Sequence, residues 1–490
     1  MTESSNAEQS GGQIVARLDR IPIWALSYLF IGIIGIGYIF TFFDIFNINA
    51  SWIQTCFELN FLGNCAPAGP PGTAAFSTAV RTAANYEGPV VLANLIGYVV
   101  GALALSPLSD RIGRRNMLLI TLMITGLGSL YNAFVGNYYN FIAARFITGI
   151  GVGADLAIVN TYINEAAPKS GRARYTSLLF VLAGIGVFMA IWLAVFLTTP
   201  AAPFPYGIPW AINLTGGWRW MYGIGALLAL FGILMRLGVP ESPRWLISKG
   251  RFTQADSIVA DMEHRATESV GTLPPVPQVI SVPTPTKAVP FSEIFSNSLY
   301  RNRTILLFVI WFLGYMTLYT VAAGATVVLA AVGFPFPENN VIVAVGIVGF
   351  VIAGILAAFL GDKMERKKWL PISAIITLVG AILVGSGITD FTTAVVGITL
   401  IFIGMDFWIP IAYAWVTESF PTRARATGFA LADGCGHIGG GVGLIITAAL
   451  ITSLPIMGVM LTIAGFQIVS AIVAQAGPKT ANKRLDEVSP

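Results

Sequence analysis

The chain has 490 residues, of which 55% are hydrophobic and only 11% charged, with a formal net charge of +4. Soluble domains carry about a quarter charged residues, so this composition excludes a soluble globular protein, even one with a single buried helix. The basic residues are distributed by side of the chain's apolar runs rather than clustered, which argues against a nucleic-acid partner.

Apolar stretches of about 20 residues recur along the chain, a length that crosses a hydrocarbon core about 30 Å thick. They predict twelve spans, at 22–46, 89–109, 117–136, 140–163, 176–199, 218–237, 304–331, 341–361, 370–388, 394–416, 427–452 and 455–475. The first follows a polar, charged head (residues 1–21) and is too long for a signal-peptide core, so it reads as helix 1 rather than a leader. Residues 47–88 are rich in Gly, Pro and Ala and read as a long loop, either a lid or a disordered cap. Cys56 and Cys65 fall in this loop, where an oxidising setting would permit a disulfide, and the pairing stays open. Cys435 falls inside a span and reads as a packing residue. Residues 238–303 are the one long polar stretch. They start with an amphipathic segment from Trp245 to Met262 and continue as a Pro/Val/Thr tract, Thr272 to Pro290. They are expected to link a six-helix bundle at 22–237 to a second at 304–475, followed by a tail at 476–490.

Basic residues gather in alternate loops: Arg111, Arg114 and Arg115; Lys169, Arg172 and Arg174; Arg244 to Arg303; Lys363 to Lys368; Arg423 and Arg425. The opposite loops hold only Arg81 and, at a helix start, Arg219. That asymmetry predicts cytoplasmic termini in a multi-pass plasma-membrane protein.

Two landmarks repeat. Asp110-Arg111-Ile-Gly113-Arg114-Arg115 answers to Asp362-Lys363-Met-Glu-Arg366-Lys367, 252 residues later. Glu165-Ala-Ala-Pro168 with Arg172 and Arg174 answers to Glu418-Ser-Phe-Pro421 with Arg423 and Arg425, 253 residues later. Two landmarks keeping one spacing imply a duplicated half, and duplicated six-helix units build transporters that rock around a central site. Arg111, Arg114 and Arg115 are expected to pair with acids such as Glu165. Asp110 is expected to meet the positive end of a helix in the other half. Such contacts would latch one conformation and break in the next.

Ionisable residues inside spans are costly and mark function. They include Asp44, Arg145, Asp155, Asp406, Asp433 and His437. Asp44, among Phe42, Phe43 and Phe46, reads as a proton-coupling carboxyl or as a helix-end cap. Asp155 lies ten residues before Glu165, about 15 Å into the membrane and so at mid-bilayer, and reads as a functional candidate. Pairing with Arg145 is disfavoured, because the two stand about 15 Å apart on one helix. His437, one of two histidines, has Asp433 one turn earlier on the same face, as a salt bridge or proton relay. Asp406, followed by Trp408, lines the cavity or an inter-helix contact. Trp311, Tyr315 and Tyr319 form one helical stripe. The glycines from Gly434 to Gly443 lie in an apolar helix with no preceding strand, and so read as helix packing rather than a nucleotide loop.

The paired loop motifs, over nearly the whole chain, resemble the major facilitator superfamily. Gly217-Trp218-Arg219 and Pro240-Glu241-Ser242-Pro243-Arg244-Trp245-Leu246 are similar to its sugar-porter-like branch. Ser106 and Ala358 stand where that family's loop usually opens with Gly. The resemblance implies an all-α fold of two pseudo-symmetric six-helix bundles, no enzymatic activity, no cofactor beyond a coupling proton, and a monomer. It also implies a branch that carries sugars, phosphate, nicotinate, aromatic acids and organic cations. In phosphate relatives an acid commonly occupies the position of Tyr315. Sugar porters place amides in helices 5 and 7. Residues 178–197 and 304–331 contain neither Asn nor Gln, which disfavours hexose. The expectation is proton-coupled uptake of a monocarboxylate or aromatic acid, with Asp44 and Asp155 carrying protons. His437, Asp433, Asp406, Trp311, Tyr315, Tyr319 and Trp408 would hold the substrate. Sugar or phosphate symport, organic-cation transport and a non-transporting sensor are the alternatives.

Overall fold

Twelve helices are long and apolar enough to cross a membrane in the computed structural model. It describes residues 2–26, 28–60, 63, 65, 73–168, 171–204, 207–277, 290–421, 424–451, 453–481, 483, 488 and 489. The spans are α1 (Leu29–Leu59), α2 (Asn85–Ser109), α3 (Arg114–Phe134), α4 (Tyr138–Ile163), α5 (Ala173–Thr198) and α6 (Gly217–Arg236), then α7 (Ser298–Val332), α8 (Glu338–Leu360), α9 (Arg366–Gly385), α10 (Phe391–Glu418), α11 (Thr427–Ile451) and α12 (Ile456–Ala474). No strand occurs among the described residues.

The packing repeats six helices on. In the first half α1 lies against α5 and α6, α2 against α4, and α3 against α4 and α6; in the second, α7 lies against α11 and α12, α8 against α10, and α9 against α10 and α12. The halves meet along two seams related by the same repeat, α5 with α8 and α2 with α11. Equivalent glycines bring the helices together. A Cβ at Gly186 of α5 would stand 2.1 Å from the Ile39 carbonyl of α1, and one at Gly439 of α11 would stand 2.1 Å from the Phe312 carbonyl of α7. The α11 glycines therefore pack helices, as their apolar setting predicts.

The first span departs from its expected end. Helix α1 runs on to Leu59, and the helix containing α2 begins at Ala74, so most of the expected 47–88 loop is helical. Polar residues end the apolar run at Asn47, yet protein groups satisfy many of them. Trp52 Nε1 donates to the Ala83 carbonyl at 2.8 Å, Gln54 to the Leu214 carbonyl at 3.1 Å, and Glu58 accepts from Gly216 N at 2.7 Å. Cys56 and Cys65 are joined as a disulfide.

Both termini lie on the side of the linker. The helix Thr2–Asp19 packs on the linker helix Phe252–Val270 through Arg17 and Arg20, which hydrogen-bond Glu263. Arg303 donates to the Val488 carbonyl. The proline tract at 278–289 lies outside the described residues.

Candidate functional site

The α2–α11 seam carries a polar cluster near mid-span. A π-helical turn at Ala430–Gly434 widens α11 just where Asp433 projects, an irregularity common at functional sites. Asp433 is fully buried. Its carboxylate accepts hydrogen bonds from Tyr98 of α2, at 3.0 Å, and from Tyr315 of α7. The Tyr315 hydroxyl also lies 3.3 Å from that of Tyr413 in α10. His437 Nδ1 lies 2.8 Å from the Asp433 main-chain carbonyl and 3.8 Å from its carboxylate. Its ring stacks on Tyr98 with centroids 3.7 Å apart and touches Tyr315 at 4.0 Å and Tyr319 at 5.7 Å. Trp311 lies 5.0 Å from Tyr315 and 4.7 Å from Trp408, centroid to centroid.

Six of the seven residues expected to hold substrate thus meet in one aromatic cluster. The seventh, Asp406, lies at the end of the helical segment Phe391–Phe407, just before α10 breaks at Trp408 and Pro410. It is buried, and neither carboxyl oxygen has a hydrogen-bond partner among the described residues. Tyr98 and Tyr413 were not singled out by the sequence.

The two expected proton carriers sit inside the first half, each against an arginine. Asp44 accepts from Arg145 Nη1 at 2.9 Å and from the Ser129 hydroxyl at 3.0 Å. Asp155 pairs with Arg236, whose Nη2 lies 3.0 Å from its second oxygen, and accepts from Thr121 at 2.8 Å. Arg145 and Asp155 accordingly do not pair with each other. Arg236 was absent from the sequence-derived set, as was Glu87 of α2, which is 2% exposed.

At the linker face the duplicated motifs form duplicated contacts. Arg114 donates to Glu165 at 3.2 Å, and Arg366 to Glu418 at 3.1 Å. Ser242 bonds Glu165 and Thr480 bonds Glu418. Arg366 also bonds Asp362 at 2.8 Å. Asp362 crosses between the halves to accept from the main-chain N–H of Arg174, in the first turn of α5, at 3.2 Å. A contact of this kind with a helix start is the one expected of Asp110, whose side chain lies outside the described residues; Asp362, its counterpart in the repeat, makes it. Arg115 reaches the Leu237 carbonyl, Arg425 donates to the Thr417 carbonyl at 2.9 Å, and Arg111 is exposed. Arg423 and the side chains of Asp110 and Arg172 lie outside the described residues.

The opposite face is also bridged. Asn49 of α1 donates to the carbonyls of Val321 and Ala322 in α7, at 3.1 and 2.6 Å, and Thr326 donates to the Asn49 carbonyl at 3.1 Å. The central cluster is therefore closed in from both ends.

Two six-helix halves, bridged at both faces around a buried polar cluster, define a multi-pass membrane transporter of the major facilitator superfamily. The chain belongs to the family described as Sugar (and other) transporter, whose model matches residues 26–490. The niacin transporter NiaP of Acinetobacter baylyi is 26% identical over 482 residues, covering 97% of this chain and 99% of the relative. The D-xylose transporter of Levilactobacillus brevis is 28% identical over 358 residues, covering 71% of this chain and 74% of the relative. In fold, the chain matches the proton:xylose symporter XylE bound to 6-bromo-6-deoxy-D-glucose with a TM-score of 0.68 at 20% identity, covering 94% of this chain and 98% of that one.

Proposed function

We propose that this transporter is a proton-coupled symporter that takes up a small organic anion, a monocarboxylate or aromatic acid. On this reading it acts as a monomer in the plasma membrane, with the linker and both termini in the cytoplasm. One observation carries the proposal: the groups bonded to or stacked on Asp433 and His437 are tyrosines, with indole rings behind them. A sugar needs an array of hydroxyl partners, whereas flat ring faces with a few convergent donors suit an aromatic or short apolar acid. The likeness to a niacin transporter agrees with this choice, and the likeness to a D-xylose transporter sets its main competitor.

The mechanism follows from charge. A substrate carboxylate fits beside Asp433 only if the local negative charge is offset, because like charges at contact distance disfavour each other. The hydroxyls of Tyr98 and Tyr315 already donate to Asp433 and offset part of its charge, and His437, whose Nδ1 is committed to the Asp433 carbonyl, when protonated offers its Nε2–H to the substrate. Proton loading at Asp44 or Asp155 releases the arginine partner and so links the proton to helix movement. The contacts of Asp362, and of Asp110 by the repeat, then open at the linker face for release.

A second reading is favoured by the same cluster. A carboxylate ringed by aromatic faces also suits an organic cation. Proteoliposomes under an imposed inward proton gradient decide between them, with labelled benzoate, nicotinate, lactate, phosphate, glucose and a lipophilic cation offered in turn. Uphill accumulation of a carboxylate, collapsed by a protonophore, is the expected result. Accumulation of glucose or phosphate alone, or gradient-driven efflux of the cation, would replace the organic-anion reading.

A further inference from the structure

Toward the face opposite the linker, α2, α7 and α11 line a small, half-open cavity on the seam between the halves. Glu87 of α2 lines it together with Thr320, Val327, Leu444, Thr447 and Ile451. Glu87 is 2% exposed. Among the described residues its Oε1 has no hydrogen-bond partner, and neither has the Thr447 hydroxyl across the seam. No described basic side chain pairs with it.

The repeat sharpens the oddity. Adding the 252-residue spacing of the aspartate motifs to 87 gives 339, and Asn339 of α8 is equally buried. Its Nδ2 donates to the Thr326 carbonyl at 2.8 Å and its Oδ1 accepts from Asn340 N at 2.8 Å. One half thus closes its seam over a neutral, satisfied amide, and the other over a carboxyl of which one oxygen is buried with no partner among the described residues. An ionised carboxyl without a partner is not stably enclosed in an apolar seam, whereas a neutral one is.

We propose that Glu87 is a proton-dependent lock on this seam. With the seam open, its carboxylate takes a proton from water on that face. Only the resulting carboxylic acid closes against α7 and α11, and the proton returns to the same face on reopening. The lock therefore sets the pH dependence of closure and leaves the transport stoichiometry to other carboxyls.

The groups around it fit this role. From α6, Tyr222 lies within electrostatic reach of Glu87, Asp44 and Arg145, and its hydroxyl has no partner. Arg145 is already held by Asp44. On the lateral side Tyr86 and Tyr138 pack edge to face. Helices α7 and α11 present Thr320 and Thr447 to the cavity and no titratable side chain.

The inference rests on alternating access as read above, and not on the substrate. Its test places a cysteine at Thr447→Cys in a Cys435→Ala background. The thiol is labelled in proteoliposomes with a membrane-impermeant maleimide from the face opposite the linker. External pH is varied, and labelling is normalised to the denatured protein at each pH. With Glu87 present, labelling should rise by up to about tenfold per pH unit as the closed form is lost. Glu87→Gln, and independently Glu87→Met, should label at a low, pH-independent level and keep gradient-driven uptake. A pH rise that survives in either variant overturns the lock. Asp44→Asn separates the two claims: lost accumulation with an intact labelling profile leaves the lock standing. A profile that flattens in Asp44→Asn but not in Glu87→Gln overturns it.

Discussion

The two seams between the halves occupy equivalent places and are built from opposite chemistry. On the α5–α8 side, Phe42 and Phe46 of α1 pack edge-on against Phe350 of α8 at 5.9 and 5.4 Å, and Phe42 meets Phe180 of α5 at 5.6 Å. On the α2–α11 side, Tyr315 and Tyr319 of α7 take the place of Phe42 and Phe46. Tyr98 stands 252 residues before Phe350, and Asp433 stands 253 after Phe180. One seam is a dry wall, and the other carries the same aromatic frame with hydroxyls, a carboxylate and an imidazole. Duplication supplied the frame, and divergence placed the carboxylate and the imidazole on one side. The first half keeps its own carboxylates behind the dry wall, each held by an arginine of the same half. Asp433 instead binds a residue of each half.

On the function proposed above, proton work falls to the arginine-held carboxylates and substrate work to the polar seam, and that division is breakable. Asp44→Asn should abolish uphill accumulation under a proton gradient while leaving substrate exchange across equilibrated membranes. Both are measured by labelled uptake. If Asp433→Asn abolishes accumulation and Asp44→Asn does not, then proton and substrate share the polar seam and the division fails.

The next effect is on stability. Truncating one member of a buried ion pair strands the other charge and costs about 3–5 kcal/mol. Arg236→Leu should therefore lose folded yield and lower the melting temperature in detergent, and Asp155→Leu/Arg236→Leu should recover most of the loss. A single variant as stable as the parent would mean that Asp155 is already neutral, which would strengthen its claim as a proton carrier.

Tyr98→Phe is smaller again. It removes one hydrogen bond to a carboxylate, worth about 1.5–3 kcal/mol, and matches the seam to its dry counterpart. Substrate KM should rise by roughly tenfold or more, with expression unchanged. Phe350→Leu, the equivalent position in the dry wall, should leave KM near the parent value. Equal effects at the two positions would show that the seams are functionally alike.

The sequence carried the fold because apolar length is a local signal, and it pointed to the linker-face contacts because the loop motifs repeat at one spacing. It carried Asp433, His437 and the Trp311–Tyr315–Tyr319 stripe because charge and period are visible in one helix. What it missed depends on partners. Tyr98 and Tyr413 are ordinary aromatic residues in apolar helices until another helix places a hydroxyl beside them. Arg236 stands at a span end among basic loops, where positive charge is expected, and only the fold turns it inward to Asp155. The extension of α1 to Leu59 was hidden because groups distant in sequence, the Leu214 carbonyl and Gly216 N, satisfy its polar residues. Aligning the two halves at the 252-residue spacing would have flagged Tyr98 against Phe350, and Glu87 against Asn339.

The smallest effect belongs to the same arginine–carboxylate chemistry met in water. Partial burial of Glu263 in the linker helix opposes its ionisation, but hydrogen bonds from Arg17 and Arg20 outweigh this and hold its carboxyl below the usual range. A carboxyl with a depressed folded-state value contributes stability above its ordinary range, near 4.3, and loses that contribution as pH falls through the depressed value. Docking of helix Thr2–Asp19 on the linker helix should therefore be constant at neutral pH and loosen only in strong acid. Arg17 remains 28% exposed, so solvent screening limits the contribution to less than about 1 kcal/mol. Distances between spin labels on the two helices check this, with Glu263→Gln expected to give the loosened distribution already at neutral pH and high salt to act in the same direction. The Asp155–Arg236 pair, sealed from solvent, should show no such response to salt. If both pairs respond equally, the first half is wetter than its burial implies, and the contrast between the arginine-held carboxylates and Asp433 would have to be withdrawn.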